Sequence, residues 1–331
     1  MHKKLKALLQ ILSDGNYHSG TVLGNKFKLT RGAIWEIIKQ LKKYGIDVEA
    51  KTNSGYRILH GLELLNKNDI AQYIKSMPDF DPNNILIFDE LSSTNSYLEK
   101  LIKIKKDIKP NNSAKICLAE YQTAGRGRLG RGWISPFAQN IYLSLSWQFF
   151  REPHELSGLG LVIAVAISEA LKKYGIKSGI SLKWPNDVLW KKRKLAGILI
   201  DLFGETHHIY NAIIGIGLNV NMSEKAGKKI DQPWCNIAQI IDSAPKRNQL
   251  AGLLLDQLLA TITKYQNHGL KPFIREWRKL DIAYGKKVTL ITPQQKISGI
   301  GFGVDEKGYF LLKDNHDKIH SFASGEVSLR F

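Results

Sequence analysis

Nine consecutive residues, Gly125-Arg126-Gly127-Arg128-Leu129-Gly130-Arg131-Gly132-Trp133, place three arginines among four glycines. The run satisfies GxGxxG, but a dinucleotide fingerprint needs a helix directly after its glycines. Here Trp133, Ser135, Pro136 and then a strand-like run follow, so that reading fails. What remains is a flexible loop whose backbone N–H groups can come close to an anion, with Arg126, Arg128 and Arg131 adding fixed charge. That chemistry suits a polyphosphate. An arginine-glycine tract for nucleic acid would repeat, and this one does not.

Lys183-Trp184-Pro185-Asn186-Asp187 follows another apolar run, where a strand can deliver Lys183 into a site. A lysine there can bridge a carboxylate and an α-phosphate, two anions that otherwise repel, while charge builds during attack. The same motif also reads as a structural Trp-Pro turn with an exposed lysine. Gly215-Ile216-Gly217-Leu218-Asn219-Val220-Asn221 leaves a strand with two glycines and two amides, suiting close packing against a ligand or ribose. Ser92-Ser93-Thr94-Asn95 can cap a helix beginning near Ser96, and the same groups suit a neutral polar ligand, with Gln122 able to add a donor and an acceptor. Lys191-Lys192-Arg193-Lys194 reads as a solvated hairpin turn.

The elements that must position these groups are strands at Ile85-Phe88, Ala114-Ala119, Ile141-Trp147, Ile180-Leu182, Leu195-Ile200 and Ala212-Gly217. Helical periodicity marks Asn95-Leu101, Leu159-Tyr174 and Leu250-Tyr265. Strands grouped around a few helices favour an α+β layer over a doubly wound fold. From Lys286 onward, Val288-Leu290-Ile291, Ile297-Gly299-Gly301, Tyr309-Leu311-Leu312 and Val327-Leu329 read as short strands of a small barrel. Helical residues Ala251 to Trp277 would connect it to the sheet.

At the N-terminal end, Leu5, Leu8, Leu9 and Leu12 recur at helical spacing before Asp14-Gly15. Ser19 can cap a second helix and Thr30 a third that carries Ile34, Ile37, Ile38 and Leu41. A hairpin follows, from Ile46 and Val48 across Lys51-Thr52-Asn53-Ser54-Gly55 to Tyr56 and Ile58. This is a winged helix-turn-helix pattern. Arg31, Trp35, Lys39 and Lys42 are then candidates for base or phosphate contact, flanked by Lys51 and Arg57 on the wing. A winged-helix interaction module with a solvated basic face is the alternative. Residues 1–60 carry +7 of the chain's +18 net charge, an excess that implies an acidic partner.

With 331 residues, 43% hydrophobic and 24% charged, the chain can fill about two domains with a small third, which excludes disordered and fibrous classes. We expect residues 1–62 to form the winged helix-turn-helix, 63–84 a linker with a short helix, 85–280 the catalytic domain and 281–331 the C-terminal domain. The longest apolar run, Leu159 to Ile167, is far short of the roughly 18 residues that span a bilayer. The basic N-terminus begins like a signal peptide, but Gln10 interrupts its apolar stretch and no cleavage site follows, so a cytoplasmic protein is expected, with no membrane partner. Cys117 and Cys235 lack CxxC spacing and a histidine cluster, which points to no disulfide framework and no zinc site.

Taken in order, the N-terminal motif, Ser93-Thr94-Asn95, Gly125 to Arg131, Lys183 to Asp187, Leu195-Ala196-Gly197-Ile198 and Gly215 to Asn221 resemble the bifunctional biotin protein ligases that also act as biotin operon repressors. The resemblance covers essentially the whole chain. It implies activation of biotin by ATP to biotinyl-5′-adenylate, then transfer to a lysine of the biotin carboxyl-carrier protein of a carboxylase. It further implies an SH3-like C-terminal domain, operator DNA as a partner and a homodimer when the adenylate is bound, on a surface that overlaps the carrier's. Biotin contacts are implied at Ser93, Thr94, Asn95, Gln122, Arg126, Gly127, Arg128, Lys183 and Gly197. Nucleotide contacts are implied at Arg128, Arg131, Lys183, Asn186, Asn219 and Trp234, with Lys183, Arg126 and Arg128 catalytic. Trp234, beside Asp231-Gln232-Pro233, resembles a residue of a segment that closes over the adenylate, though a core or surface tryptophan fits as well. Mg²⁺ is expected with the ATP, and no metal ligand set is evident. A ligase with an inactive DNA module, a non-catalytic sensor of a small molecule and a lipoate-type ligase are the competing readings. A pure sensor would not need a three-arginine loop and a separate lysine both aimed at phosphate.

Overall fold

The leucines at positions 5, 8, 9 and 12 form the buried stripe of α1 (Lys3–Leu12). Ser19 caps α2 (Gly20–Phe27) through the Thr21 amide, and Thr30 caps α3 (Arg31–Lys43) through that of Ala33. Strands β1 (Val48–Lys51) and β2 (Gly55–Ile58) pair antiparallel as the wing. The computed structural model describes residues 3–59, 61–104, 114–150, 156–206, 209–241, 243–292, 295–323 and 328–330.

The segment expected to be a linker is folded onto its neighbours. Its helix α4 (Lys67–Ala71) buries Ile70, and the Asn66 amide donates to Asn248 Oδ1 (2.8 Å). The Leu65 amide donates to Glu120, a carboxylate 2% exposed that also pairs with Arg247 at 2.8 Å.

The central unit runs β3 (Ile85–Phe88), α5 (Thr94–Ile104), β4 (Lys115–Ala119), β5 (Ile141–Phe149), α6 (Leu159–Tyr174), β6 (Ile180–Lys183), β7 (Asp187–Trp190), β8 (Arg193–Thr206), β9 (Ile209–Leu218), α7 (Glu224–Gly227), α8 (Arg247–His268) and α9 (Lys271–Leu280). Its seven strands form one mixed sheet in the order β3-β4-β5-β9-β8-β7-β6, with β3 and β4 parallel and the other neighbours antiparallel. A parallel pair needs a crossover, and α5 supplies it. Leu98 of α5 packs on Cys117 and Ile213, whereas α6 and α8 fill the opposite face. Among the described residues, no helix is long and apolar enough to cross a membrane.

Three expectations change. The helical residues expected from Ala251 to Trp277 form two helices, divided where Gly269 adopts φ +65° and Pro272 opens α9. The basic run Lys191-Lys192-Arg193-Lys194 is a turn only at Lys191 and Lys192, where φ is positive. Arg193 already begins β8, and Lys194 is a pocket residue. The short strand β7 was hidden behind the Trp-Pro turn.

Beyond α9, β10 (Lys287–Ile291), β11 (Lys296–Val304), β12 (Phe310–Lys313), β13 (Ile319–Phe322) and β14 (Ser328–Arg330) form an antiparallel sheet in the order β13-β12-β11-β10-β14. Val327, expected in the last strand, lies outside the described residues. Trp184, 1% exposed, joins this sheet to the central one: its indole donates to Gly308 O (3.2 Å) and its ring lies 5.4 Å from that of Phe310.

Candidate active site

Strand β4 feeds the glycine-arginine loop, which is a hydrogen-bonded hairpin rather than an open strap. The Gly127 amide donates to Arg131 O (2.7 Å) and the Trp133 amide to Gly125 O (2.9 Å). Leu129 and Gly130 turn it with φ of 56° and 70°. The fold brings two adjoining pockets against this hairpin.

The smaller pocket, about 60 Å³, is lined by Ser93, Thr94, Asn95, Gln122, Arg126, Gly127, Arg128 and Gly197, among others. Helix α5 starts at Thr94, two residues earlier than expected, with Ser93 Oγ accepting from the Ser96 amide at 3.5 Å. Gln122 Oε1 accepts from the Thr94 amide (2.9 Å) and hydroxyl (3.2 Å), and its Nε2 donates to Ser135 Oγ (3.0 Å). Asn95 Nδ2 donates to Asp201 Oδ2 (2.9 Å), and the Ser144 hydroxyl lies within hydrogen-bond reach of both Thr94 and Asn95. Arg126 forks onto the two oxygens of Asp201 at 3.3 and 3.4 Å. The pocket's polar groups therefore satisfy one another, and a ligand must substitute for those bonds in kind.

The glycines of β9 serve side chains. A Cβ on Gly215 would stand 2.2 Å from Asn95 Oδ1, and one on Gly217 would stand 2.2 Å from Trp133 Cε2. They admit Asn95 and Trp133 first, and only then a ligand.

The larger pocket, about 400 Å³, is lined by Arg128, Arg131, Lys183, Asn186, Asn219 and Trp234, with Lys194 and Lys229 adding charge and Asp187 and Asp231 opposing it. Lys183 lines this pocket and is absent from the smaller one. Arg128 Nη1 donates to Asn186 Oδ1 (3.4 Å), and Asn186 Nδ2 donates to Ile198 O (2.8 Å). Burial pulls the Arg128 guanidinium below the usual arginine range, while Asp187 acts in the other direction. Asn219, 3% exposed, spends its amide on the carbonyls of Lys194 (3.4 Å) and Cys235 (3.1 Å), so it ties the rim together. Trp234 rests against Gly227, and its segment is bonded to β8 on both sides of Lys194. Burial pushes the Cys235 thiol up to about 11.

Sequence reasoning missed Lys194, Asp201, Trp133 and Ser144. Lys194 Nζ lies 2.8 Å from Asp187 Oδ1 with both side chains about 15% exposed, 5.4 Å from the Trp133 ring, and it lines both pockets. Alternation along the strand hides it: the β7–β8 register shifts between Ala196 and Lys194, which brings Lys194 Cε to 3.3 Å from where a Cβ on Gly197 would stand. Asp201 gave no signal, because a lone aspartate late in a strand reads as solvent-facing. Among the described residues, no three His, Cys, Asp or Glu side chains cluster as a metal site.

In the N-terminal unit, Arg31, Trp35, Lys39 and Lys42 are exposed on α3. Lys39 Nζ sits 3.1 Å over the Trp35 ring and pairs with Glu36 (3.2 Å). On the wing Lys51 is exposed, whereas Arg57 is half-buried, pairs with Glu49 (2.7 Å) and stacks 4.4 Å over Tyr17.

Three family models match. Residues 87–219 match the biotin/lipoate A/B protein ligase family, 4–57 an HTH domain and 284–330 the biotin protein ligase C-terminal domain. The chain is 36% identical to the bifunctional ligase/repressor BirA of Salmonella typhimurium over 98% of this chain and 96% of that one. To the protein of the same name from Bacillus subtilis it is 29% identical, covering 98% of each. Among solved structures it resembles the biotin protein ligase from Aquifex aeolicus in complex with biotin and ATP, with TM-score 0.62 and 30% identity over 75% of this chain and 98% of that one.

Proposed function

The chain belongs to the bifunctional biotin ligase/repressor family, and from that premise we propose that its smaller pocket takes biotin and its larger pocket ATP. The observation that carries this reading is the seam: Gly127, Arg128, Trp133, Asn186 and Lys194 line both pockets, and Lys183 lines the larger one. Two substrates bound in the two pockets would meet there.

Thr94, Asn95 and Gln122 exchange their mutual hydrogen bonds for the ureido group of biotin, with Ser93 at the helix start and Gly197 leaving room for the ring. The pocket widens to admit it. Arg128 and Lys183 hold the carboxylate against the α-phosphate, so that a carboxylate oxygen attacks phosphorus and the bond to pyrophosphate breaks. Arg131 and Asn186 neutralise and orient the phosphates, and Trp234 offers a face to the adenine. Arg126 acts through Asp201, fixing Asn95, rather than by reaching the phosphates. Mg²⁺ would arrive with the ATP and screen the phosphate charge. Among the described residues no three His, Cys, Asp or Glu side chains cluster to hold it, and Asp187 is paired with Lys194.

The acyl adenylate then passes biotin to a lysine of a carboxyl-carrier protein. Arg31, Trp35, Lys39 and Lys42 of α3 enter the operator's major groove, with Lys51 and Arg57 on the wing, and adenylate-promoted homodimerisation matches the two-fold symmetry of such a site. Purified protein incubated with biotin, MgATP and a carrier domain should add biotin to the carrier, read by intact mass and absent without ATP. No gain on a competent carrier would overturn the ligase reading. Sedimentation unchanged by biotin and ATP would sink the dimerisation.

A further inference from the structure

Three chain segments build the wing. His18, just before the cap of α2, pairs antiparallel with Tyr56 of β2, amide to carbonyl in both directions at 2.9 Å. Gly55 permits the approach: its φ is +107°, and a Cβ there would collide with His18 O. In that register Tyr17 falls opposite Arg57, and Arg57 stands opposite Glu49 of β1. One side chain from each segment therefore meets the others on one face of the wing.

Their contacts close a triangle. Tyr17 Oη donates to Glu49 Oε1 (2.7 Å), Arg57 Nε donates to Glu49 Oε2 (2.7 Å), and the guanidinium lies 4.4 Å over the Tyr17 ring. Lys51 Nζ stands 5.8 Å over the same ring. The Tyr17 hydroxyl and the guanidinium hold the Glu49 carboxyl below its usual range, which keeps it charged. Arg57 is 30% and Glu49 43% exposed, and an ion pair so open to water contributes little to stability. Its value lies in geometry. Glu49 takes Nε, and the two terminal nitrogens are the pair that grips a phosphate in bidentate fashion.

We propose that Tyr17 and Glu49 are a positioning pair that holds Arg57 for a backbone phosphate of bound DNA. The proposal rests on the DNA-binding reading above, which puts Arg57 on the wing without saying what fixes it. A free arginine loses its rotamer freedom when it grips a phosphate; here the ring beneath it and the carboxylate beside it have already removed that freedom. The carboxylate also repels the phosphate. The sign of the change when Glu49 is removed therefore tells a brace from a competitor.

Full-length Glu49→Ala, Glu49→Gln, Tyr17→Ala, Arg57→Ala and the double variant Glu49→Ala/Arg57→Ala are titrated against labelled operator and a scrambled duplex. Biotin and MgATP are present, and the salt concentration is varied. Glu49→Ala should weaken binding about fivefold on both duplexes, even though it takes a negative charge from a protein that binds a polyanion. Tyr17→Ala should weaken both by a similar factor. Glu49→Gln removes the same charge but keeps an acceptor for Nε, and should bind within about twofold of the unaltered protein. Arg57→Ala should weaken both duplexes and lower the salt slope by about 0.9, the loss of one phosphate contact. Once Arg57 is gone, adding Glu49→Ala should strengthen binding by about twofold, because only the repulsion is left to remove. Glu49→Ala binding as tightly as the unaltered protein, or more tightly, would overturn the proposal and make Glu49 a competitor of the phosphate. Weakening that persists without Arg57 would overturn it too, since Glu49 would then act through the fold of the wing. An unaltered protein that binds neither duplex would remove the DNA-binding reading itself, and this inference with it.

Discussion

Lys183 and Lys194 reach the same pocket by different routes, and their neighbourhoods assign them different work. Lys183 ends β6 and lines the larger pocket, where we propose that it meets the developing charge, so Lys183→Ala should slow adenylation by roughly a hundredfold or more. Unchanged pyrophosphate release would refute its role. Lys194 is already committed to Asp187 in a nearly buried pair. Removing one member strands the other's charge in a site with little water, whereas removing both does not. Lys194→Met or Asp187→Asn alone should therefore cost about 3 kcal/mol, and the double substitution should be more stable than either. Chemical denaturation of the four proteins reads this directly; additive losses would mean the pair does not couple. The sequence left Lys183 open between a strand end aimed into a site and an exposed residue of a Trp-Pro turn, and the fold puts it in the lining of the larger pocket. Lys194 was lost inside four consecutive basic residues and behind the register shift that turns it into the pocket.

At the scale of elements, β9 is built around what it must not carry. Gly217 leaves room for Trp133, which in turn walls both pockets, so Gly217→Ala must push the indole off the strand. The expected result is a rise in KM for biotin and ATP together with little change in secondary structure by circular dichroism; a normal KM for both would show that Trp133 has somewhere else to go. The glycines were visible in the sequence and both line the smaller pocket, but the side chains of Asn95 and Trp133 that need their space were not. Long periodic elements such as α6 were legible to the residue because their pattern is internal. The four-residue strands β7 and β13 were not, since so short a strand is defined by its partners. The junction after α9 adds a pH effect. Asp281 buries Oδ2 without a hydrogen-bond partner, next to the Ile282 amide that donates to Leu182 O (3.0 Å) on β6. Burial pushes its carboxyl up to about 6, with the Ala283 amide, Lys286 and Arg278 pulling the other way. An acid raised in the folded state contributes stability that is full below its unfolded value near 4 and is lost as pH rises through 6. Unfolding midpoints should fall across that window by the equivalent of up to about 3 kcal/mol, and Asp281→Asn should flatten the fall. An equally steep slope in the variant would assign it to other groups.

Over the whole molecule, the DNA-reading unit is docked rather than tethered, which separates two kinds of substitution on one helix. Arg31 stands on the outer, solvent-exposed face of α3. Tyr44, the residue that ends the same helix, packs its ring 5.9 Å from Tyr121 and 5.5 Å from Phe137 of the central unit, and Phe137 is 1% exposed. Lys6 pairs with Asp89 at 2.6 Å along the same seam, and burial beside the Glu90 and Asp89 carboxylates pushes the Tyr44 phenol up. The packed segment from Leu65 to Ile70, held by Glu120 and Asn248, continues this contact. Arg31→Ala should thus weaken operator binding while leaving biotin transfer and the unfolding midpoint alone. Tyr44→Ala removes two edge-on aromatic contacts and uncovers Phe137, a loss of about 2 kcal/mol in chemical denaturation. Because Tyr121 precedes Gln122 of the small pocket, the same variant should also alter the dependence of DNA binding on biotin and ATP. Fluorescence anisotropy with labelled operator, with and without the two ligands, gives that dependence. A Tyr44→Ala protein as stable and as ligand-responsive as the unaltered one would mean that the two units communicate elsewhere, and the dimer would be the next place to look.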